Sequence, residues 1–290
     1  MPTLKETKGR IASVQNTLKI TSAMKLVSSA KLRKAQTAIE NMRPYQEKLQ
    51  EIFALSTGGK MAVFPPKTQE NGAAEVVVAI ASNSSLCGSF NANAIAKAKG
   101  VLKEHPGATV YSIGRKMADA MRKAGYQSPE DYTALSDHPS YGPVSDLAEK
   151  LMEEYQDGKI ANVLLVYNHF VSTGKQVPVV EPLFEMAEQV GHDGEGATTG
   201  TDLQSPSDVI LEPSRKELLD ALYPKTVKLK LFAALLDSAA AEHAARTVAM
   251  QTATDNGEDL LAELTLQYNK GRQQKITSEI LDLAGGQTRD

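Results

Sequence analysis

Cys87 is the one cysteine of the chain. It stands in a polar turn, Ser82-Asn-Ser-Ser-Leu-Cys-Gly-Ser89, that follows the apolar run Glu75-Val-Val-Val-Ala-Ile-Ala81. A thiol between a strand and a helix can be activated as a nucleophile by the helix N-terminus. The same position suits a small buried side chain at a domain seam. Such a turn is also where α/β folds hold phosphate, yet the chain has no Gly-x-x-x-x-Gly-Lys-Ser/Thr, and no Gly-x-Gly-x-x-Gly follows this strand. A Gly-x-Ser-x-Gly elbow is absent as well. His243 has no second histidine at metal-binding spacing, and a single cysteine excludes an intrachain disulfide and any multi-cysteine metal site. Asp255, Glu258, Asp259 and Glu263 fall at helical spacing without a nucleophile or metal partner, so they read as a solvated face. No catalytic constellation emerges, and neither cofactor nor metal is expected on this chain.

Charge gives a stronger signal than chemistry. The formal total of −3 conceals a basic start: residues 1–43 hold nine Lys and Arg against two Glu, a balance of +7. Three readings of this cationic segment stay open: a solvated helix face, an arm for nucleic acid, or a face for an acidic protein partner. Nucleic-acid binding usually adds aromatic stacking, and residues 1–43 contain no Phe, Tyr or Trp.

The elements around these residues are unequal in length. From Arg10 to Thr57 there is no glycine and one proline, Pro44, and from Lys225 to Asp290 there is no proline. Helices of roughly 50 to 60 residues at 1.5 Å rise would reach about 75 to 90 Å, more than a small domain can cover. Ile11, Val14 and Leu18, then Leu32, Ala35, Ile39 and Met42, share one 3-4 heptad register, the pattern of a coiled-coil seam. Between them that register passes through Thr21, Lys25 and Ser28, while the apolar residues sit one place earlier, at Ile20, Met24 and Val27. Either the packing face shifts there or small polar residues loosen the seam. Pro44 is expected to kink or end the first rod or to mark a new turn, and Pro224 suits the entrance of the last one. The Ala-rich Ser238–Ala245 allows two helix backbones to approach closely, which favours an antiparallel pairing of the ends.

Between the rods, Ser56–Gly72 reads as a loop. Strand signals at Glu75–Ala81, Ala108–Ile113 and Ile160–Tyr167 alternate with helical ones at Asn91–Glu104, Arg115–Ala124 and Val144–Tyr155, which predicts βαβ units and a mainly parallel sheet. Gln176–Phe184, with Pro178 and Pro182, suits an edge strand. Gly191–Gly200 reads as a mobile excursion and Val209–Leu211 as a last short strand. The expected fold is thus a long antiparallel coiled coil of the N- and C-terminal helices plus a central Rossmann-like α/β domain. Its parts are residues 1–57, 75–212 and 213–290. No apolar run approaches the ~20 residues of a membrane span, and no signal or transit pattern precedes the first helix.

At the ends, spacing gives way to direct likeness. Ile11-Ala-Ser-Val-Gln-Asn-Thr-Leu-Lys-Ile-Thr-Ser-Ala-Met-Lys25 with Val27-Ser-Ser-Ala-Lys-Leu-Arg-Lys34 resembles the N-terminal helix of the gamma subunit of F-type ATP synthase. Ala244–Gly257 and Tyr268-Asn-Lys-Gly-Arg-Gln-Gln-Lys-Ile-Thr-Ser-Glu-Ile280 are similar to that family's C-terminal signature. Leu86-Cys-Gly-Ser-Phe-Asn91 and Leu211-Glu-Pro213 match in order between them, so the resemblance covers the whole chain.

The resemblance implies a rotor subunit of bacterial type without a catalytic site of its own. In that family the coiled coil enters a ring of alpha and beta subunits, while the α/β domain sits on the c-ring of the membrane sector beside the epsilon subunit. Proton or other ion flow is thereby coupled to ATP synthesis or hydrolysis, with ATP, ADP and magnesium bound by the alpha and beta subunits. The implied place is the cytoplasmic face of the inner membrane, held peripherally, with no membrane insertion and no nucleic acid. Met24, Lys25, Arg272, Gln273 and Thr277 fall where the family meets beta subunits, and Leu211 and Glu212 where it meets the rotor ring. The turn at Asn83–Ser89 departs from the family's usual Asp-Arg before Gly-Leu-Cys-Gly-Gly, and Leu211 replaces a frequent aromatic residue. A basic nucleic-acid-binding protein and an α/β enzyme with helical dimerisation arms are the rival classes.

Overall fold

A computed structural model of the chain describes residues 3–57, 62–63, 73–186, 212 and 214–286. The chain divides into two compact units, Met1–Ala30 with Arg246–Asp290, and Lys31–Ala245. Two helices, α1 (Leu4–Thr57) and α6 (Arg215–Gly286), contribute to both.

Helix α1 opens on a capping box and α6 on a serine cap. The Glu6 N–H donates to Thr3 Oγ1 (3.3 Å) and the Thr3 N–H to Glu6 Oε2 (2.9 Å) at the start of α1. At α6, the Glu217 N–H donates to Ser214 Oγ (3.2 Å) and that hydroxyl reaches Glu217 Oε1. These contacts satisfy donors that a helix start leaves orphaned. The last helix therefore begins nine residues before the entrance expected at Pro224, which lies inside it. Pro44 likewise lies within α1 and does not end it. Packing overrides the prolines: Leu49 and Phe53 beyond Pro44 are buried with Leu222 and Leu229, on either side of Pro224.

In the end unit α1 and α6 run antiparallel. The Thr254 hydroxyl lies 3.0 Å from that of Thr21. A Cβ added at Gly257 would lie 2.7 Å from Leu18 Cδ2, and one at Gly271 would lie 3.4 Å from Leu4 Cδ2. Steps forward along α6 match steps back along α1. Burial keeps the strict heptad register: Thr7, Thr21 and Ser28 are buried, with Leu4, Ile11, Val14, Leu18 and Lys25 half-buried between them. The seam does not shift near Met24; it continues on small polar residues.

The central unit is built on a four-stranded sheet in the order β3-β2-β4-β5. Strand β2 (Ala74–Ile80) is parallel to β3 (Thr109–Ile113) and β4 (Ile160–Ser172), whereas β5 (Lys175–Pro182) closes the other edge antiparallel to β4. Successive residues of β2 feed opposite faces, as the period of a strand requires. Val76, Val78 and Ile80 join α5 (Tyr141–Gln156) and α6 residues Tyr223, Val227, Leu231 and Leu235. Val77 and Ala79 join α2 (Phe90–Glu104) and α3 (Arg115–Lys123). Helix α6 is thus one layer of the sheet's own core.

Three small elements depart from expectation. A short helix, α4 (Thr133–Asp137), precedes α5. Within the segment read as loop, β1 (Ala62–Val63) pairs with β6 (Glu185–Met186). The expected excursion at Gly191–Gly200 and strand at Val209–Leu211 lie outside the described residues.

Candidate partner-contact surfaces

The sheet's topology singles out one place for a ligand. From β2 the chain crosses to β3 on one side and later to β4 on the other, so the strand order reverses at the carboxyl ends of β2 and β4. Such switch points are the usual ligand crevices of open α/β sheets. Here the crevice is filled: Leu235, Ser238, Ala239 and Glu242 of α6 close over Ile80, Ala81 and Ser136, and no room is left for a water molecule. The rest of the rim is equally tight. The Ser136 hydroxyl donates to Ala81 O (2.9 Å), and the Arg115 N–H donates to Asn83 Oδ1 (2.8 Å) at the start of α3. Gly114 crosses so near that an added Cβ would lie 2.1 Å from Ala81 O.

Cys87 fits this closed rim. Its side chain is 1% exposed, packs with Phe90, Ala241 and Ala245, and its sulfur accepts from Asn91 Nδ2 at 3.1 Å. Of the two readings of Cys87, the buried side chain is the one the geometry matches. Leu86 beside it takes a left-handed backbone conformation (φ 68°) and is exposed. Among the described residues, no group of three or more His, Cys, Asp or Glu side chains could hold a metal ion.

The end unit carries surfaces of a different kind. Because Thr21 and Ser28 occupy the seam, Ile20 and Val27 point away from it, 60% and 57% exposed, with Leu26 also exposed and Met24 and Lys25 half-buried between them. A helix with apolar residues outside its seam has a second apolar face. On α6, the partner helix runs out at Leu4, opposite Gly271, and every side chain from Arg272 to Leu283 is exposed. That overhang, Arg272–Gly286, spans about 22 Å at 1.5 Å per residue. Arg272, Gln273 and Thr277 all lie on it, and the Thr277 hydroxyl is turned to Gln273 O (2.9 Å). Beside them Ile276, Ile280 and Leu283 make an exposed 3-4 stripe. Sequence reading passed over this stripe, although its spacing was there to be seen. Glu212 is exposed, and Leu211 lies outside the described residues.

A plugged crevice in the central unit and apolar residues turned outward in the end unit suit a subunit that works through neighbours. A family model described as ATP synthase matches residues 3–288. The ATP synthase gamma chain of Phocaeicola vulgatus is 45% identical, with 99% of each chain covered. The chain belongs to the ATP synthase gamma-chain family. The gamma chain of Heliobacterium modesticaldum is 36% identical over 99% of this chain and 98% of its own. A chain in the cryo-EM structure of the Euglena gracilis mitochondrial ATP synthase rotor, rotational state 1, shares the fold with a TM-score of 0.62 at 21% identity, covering 94% of this chain and 98% of that one. Membership in this family makes the chain a gamma subunit of an F-type ATP synthase, the rotor of the central stalk.

Proposed function

We propose that the end unit turns inside a ring of alpha and beta subunits, and that the central unit joins the c-ring of the membrane sector with the epsilon subunit alongside. On this reading the chain performs no chemistry. ATP, ADP and magnesium are bound by the alpha and beta subunits, and the chain biases each site in turn by contacting it differently. An asymmetric rod has unequal binding free energy with the open and closed states around a ring, and turning the rod moves that inequality from site to site.

The overhang of α6 carries the reading. Fifteen residues of helix from Arg272 to Gly286 extend past the last residue of α1 that could cover them. They present Arg272, Gln273 and Thr277 for polar contact with a beta subunit, and Ile276, Ile280 and Leu283 for burial. Met24 and Lys25 make the second contact with beta from α1, beside the exposed Ile20 and Val27. The +7 balance of residues 1–43 suits acidic partner surfaces met loosely. Exposed ion pairs of that sort are worth about 0–1 kcal/mol each, small enough to slide past. Leu211 and Glu212 are assigned to the rotor ring.

No helix of the described residues is long and apolar enough to cross a membrane. The proposed location is peripheral, on the cytoplasmic face of the bacterial inner membrane, through contact with the ring. Reconstitution with alpha and beta subunits tests the whole scheme. Arg272→Ala with Gln273→Ala is expected to lower both ATP hydrolysis and ATP synthesis of the assembly, and unchanged rates in both directions would remove these residues from the mechanism.

A further inference from the structure

Helix α6 belongs to the sheet core through Tyr223, Val227, Leu231 and Leu235 and then runs on to Gly286. In a rotor subunit, turning force carried along this helix has to be handed to the sheet within that stretch. Apolar burial holds the helix down but is non-directional. Past Leu235 the buried face carries Leu236, Glu242 and Arg246 but is otherwise small, Ser238, Ala239, Ala240, Ala241, Ala244 and Ala245, and such short side chains offer shallow ridges against rotation.

Lys228 of α6 pairs with Glu149 of α5, and two further charged side chains tie α6 directionally to the strands. Lys230 Nζ donates to Pro182 O at 2.6 Å and to Glu185 O at 2.9 Å. Asp237 accepts the Phe170 N–H on Oδ1 at 2.9 Å, and its Oδ2 lies 2.5 Å from His169 Nδ1. Seven residues apart, they leave α6 on nearly the same side, about 10 Å apart along its axis. Three of their four targets are main-chain atoms of β4, β5 and β6, which cannot swing aside as a side chain does. The targets also lie at opposite ends of the β4–β5 hairpin, since Phe170 pairs with Gln176 beside the turn and Pro182 pairs with Leu164 at the far end. Burial lowers the Lys230 pKa, while Glu181 and Glu185 favour its charge. Charge-assisted bonds away from water are the stiff kind.

We propose that Lys230 and Asp237 form a clamp that transmits torque between α6 and the sheet, acting as positioning residues for rotary coupling. The clamp rests on the rotor function and adds the place where force crosses from helix to body.

The test uses the assembled complex of this chain with alpha and beta subunits, the ring immobilised and a marker attached through Lys103→Cys on exposed α2. Native Cys87, 1% exposed, does not compete for the label. With the ring stalled, the angular spread of the marker reports torsional stiffness. Lys230→Met with Asp237→Ala is expected to at least double the angular variance, with the rate of unloaded ATP-driven rotation unchanged. Asp237→Asn, nearly isosteric and still able to accept the Phe170 N–H, is expected to give a smaller increase. A merely structural role would lower the melting temperature and leave the variance alone. An unbroadened spread in the assembled double variant overturns the clamp, and where that variant does not assemble, an unbroadened spread in Asp237→Asn does so. A wild-type marker that never rotates would instead count against the rotor function itself.

Discussion

The two units use apolar side chains in opposite ways. The largest fully buried side chains of the described residues, from Ile80 to Leu235, all belong to the central unit. The end unit places Thr7, Thr21 and Ser28 in its seam and leaves Ile20, Leu26, Val27, Ile276, Ile280 and Leu283 outside it. One unit buries its largest apolar side chains within itself, whereas the other buries few, Met250 and Leu264 among them, and leaves several exposed. A rotor needs both, a body that does not deform and a surface that engages neighbours without a tight grip.

The contrast breaks most visibly at Gly114. Its φ of +95° and the 2.1 Å approach of an added Cβ to Ala81 O leave no room to relax, because the obstacle is backbone. Gly114→Ala is expected to cost more than about 3 kcal/mol and to abolish the central unit's cooperative thermal transition. Leu151→Ala, deleting a side chain with no exposure in the same core, is expected to cost about 2–5 kcal/mol by denaturant titration. A similar loss from Leu18→Ala, half-buried in the end-unit seam, would erase the distinction between the units.

Alkali probes the same core. Burial raises the pKa of Tyr167 and Tyr223 in the folded chain, so unfolding lets them ionise. Their stabilising effect is complete below the unfolded value of about 10 and declines above it by about 1.4 kcal/mol per pH unit for each tyrosine. Lys230, lowered by burial, has the opposite sign, adding stability as pH rises toward its unfolded value of about 10.4 and nothing beyond. The net expectation is a loss of stability above that point, with the part of the 295 nm tyrosinate absorbance that belongs to Tyr167 and Tyr223 appearing together with unfolding. Tyrosinate absorbance from these two side chains before unfolding would contradict it.

Smaller effects belong to the end unit. Gly257→Ala gains about 1 kcal/mol of helix propensity but must displace the Leu18 methyl 2.7 Å away, so a net change within about 1 kcal/mol is expected by thermal melting. Arg272→Ala, on the uncovered overhang, is expected to change the chain's own stability by less than about 0.5 kcal/mol while lowering activity of the complex.

Residue types read in sequence made most of this architecture legible. A stretch without glycine announced α1, one without proline announced most of α6, and β-branched runs announced β2 and β4. Pro178 and Pro182 marked β5 correctly as an edge strand. Errors arose where a local rule met long-range packing. Pro224 outweighed the capping pair Ser214 and Glu217, and only the burial of Leu222 and Tyr223 explains why the helix persists through it. Met24 and Lys25 came from resemblance; that Thr21 and Ser28 hold the seam depends on where α6 lies. The overhang was hidden for a similar reason, since no local signal tells where a partner helix stops. His169 and Asp237, 68 residues apart, meet only through the fold.

The filled crevice at the ends of β2 and β4 has a further consequence. Where other open α/β sheets receive a molecule from solution, this one receives a stretch of its own chain. A covalently tethered guest is present at an effective concentration no diffusing ligand matches, so it requires little affinity of its own. That fits an occupant in which Ala239 and Ser238 sit beside Leu235 and Glu242. The place is permanently occupied, and what the sheet holds there is one constant helix.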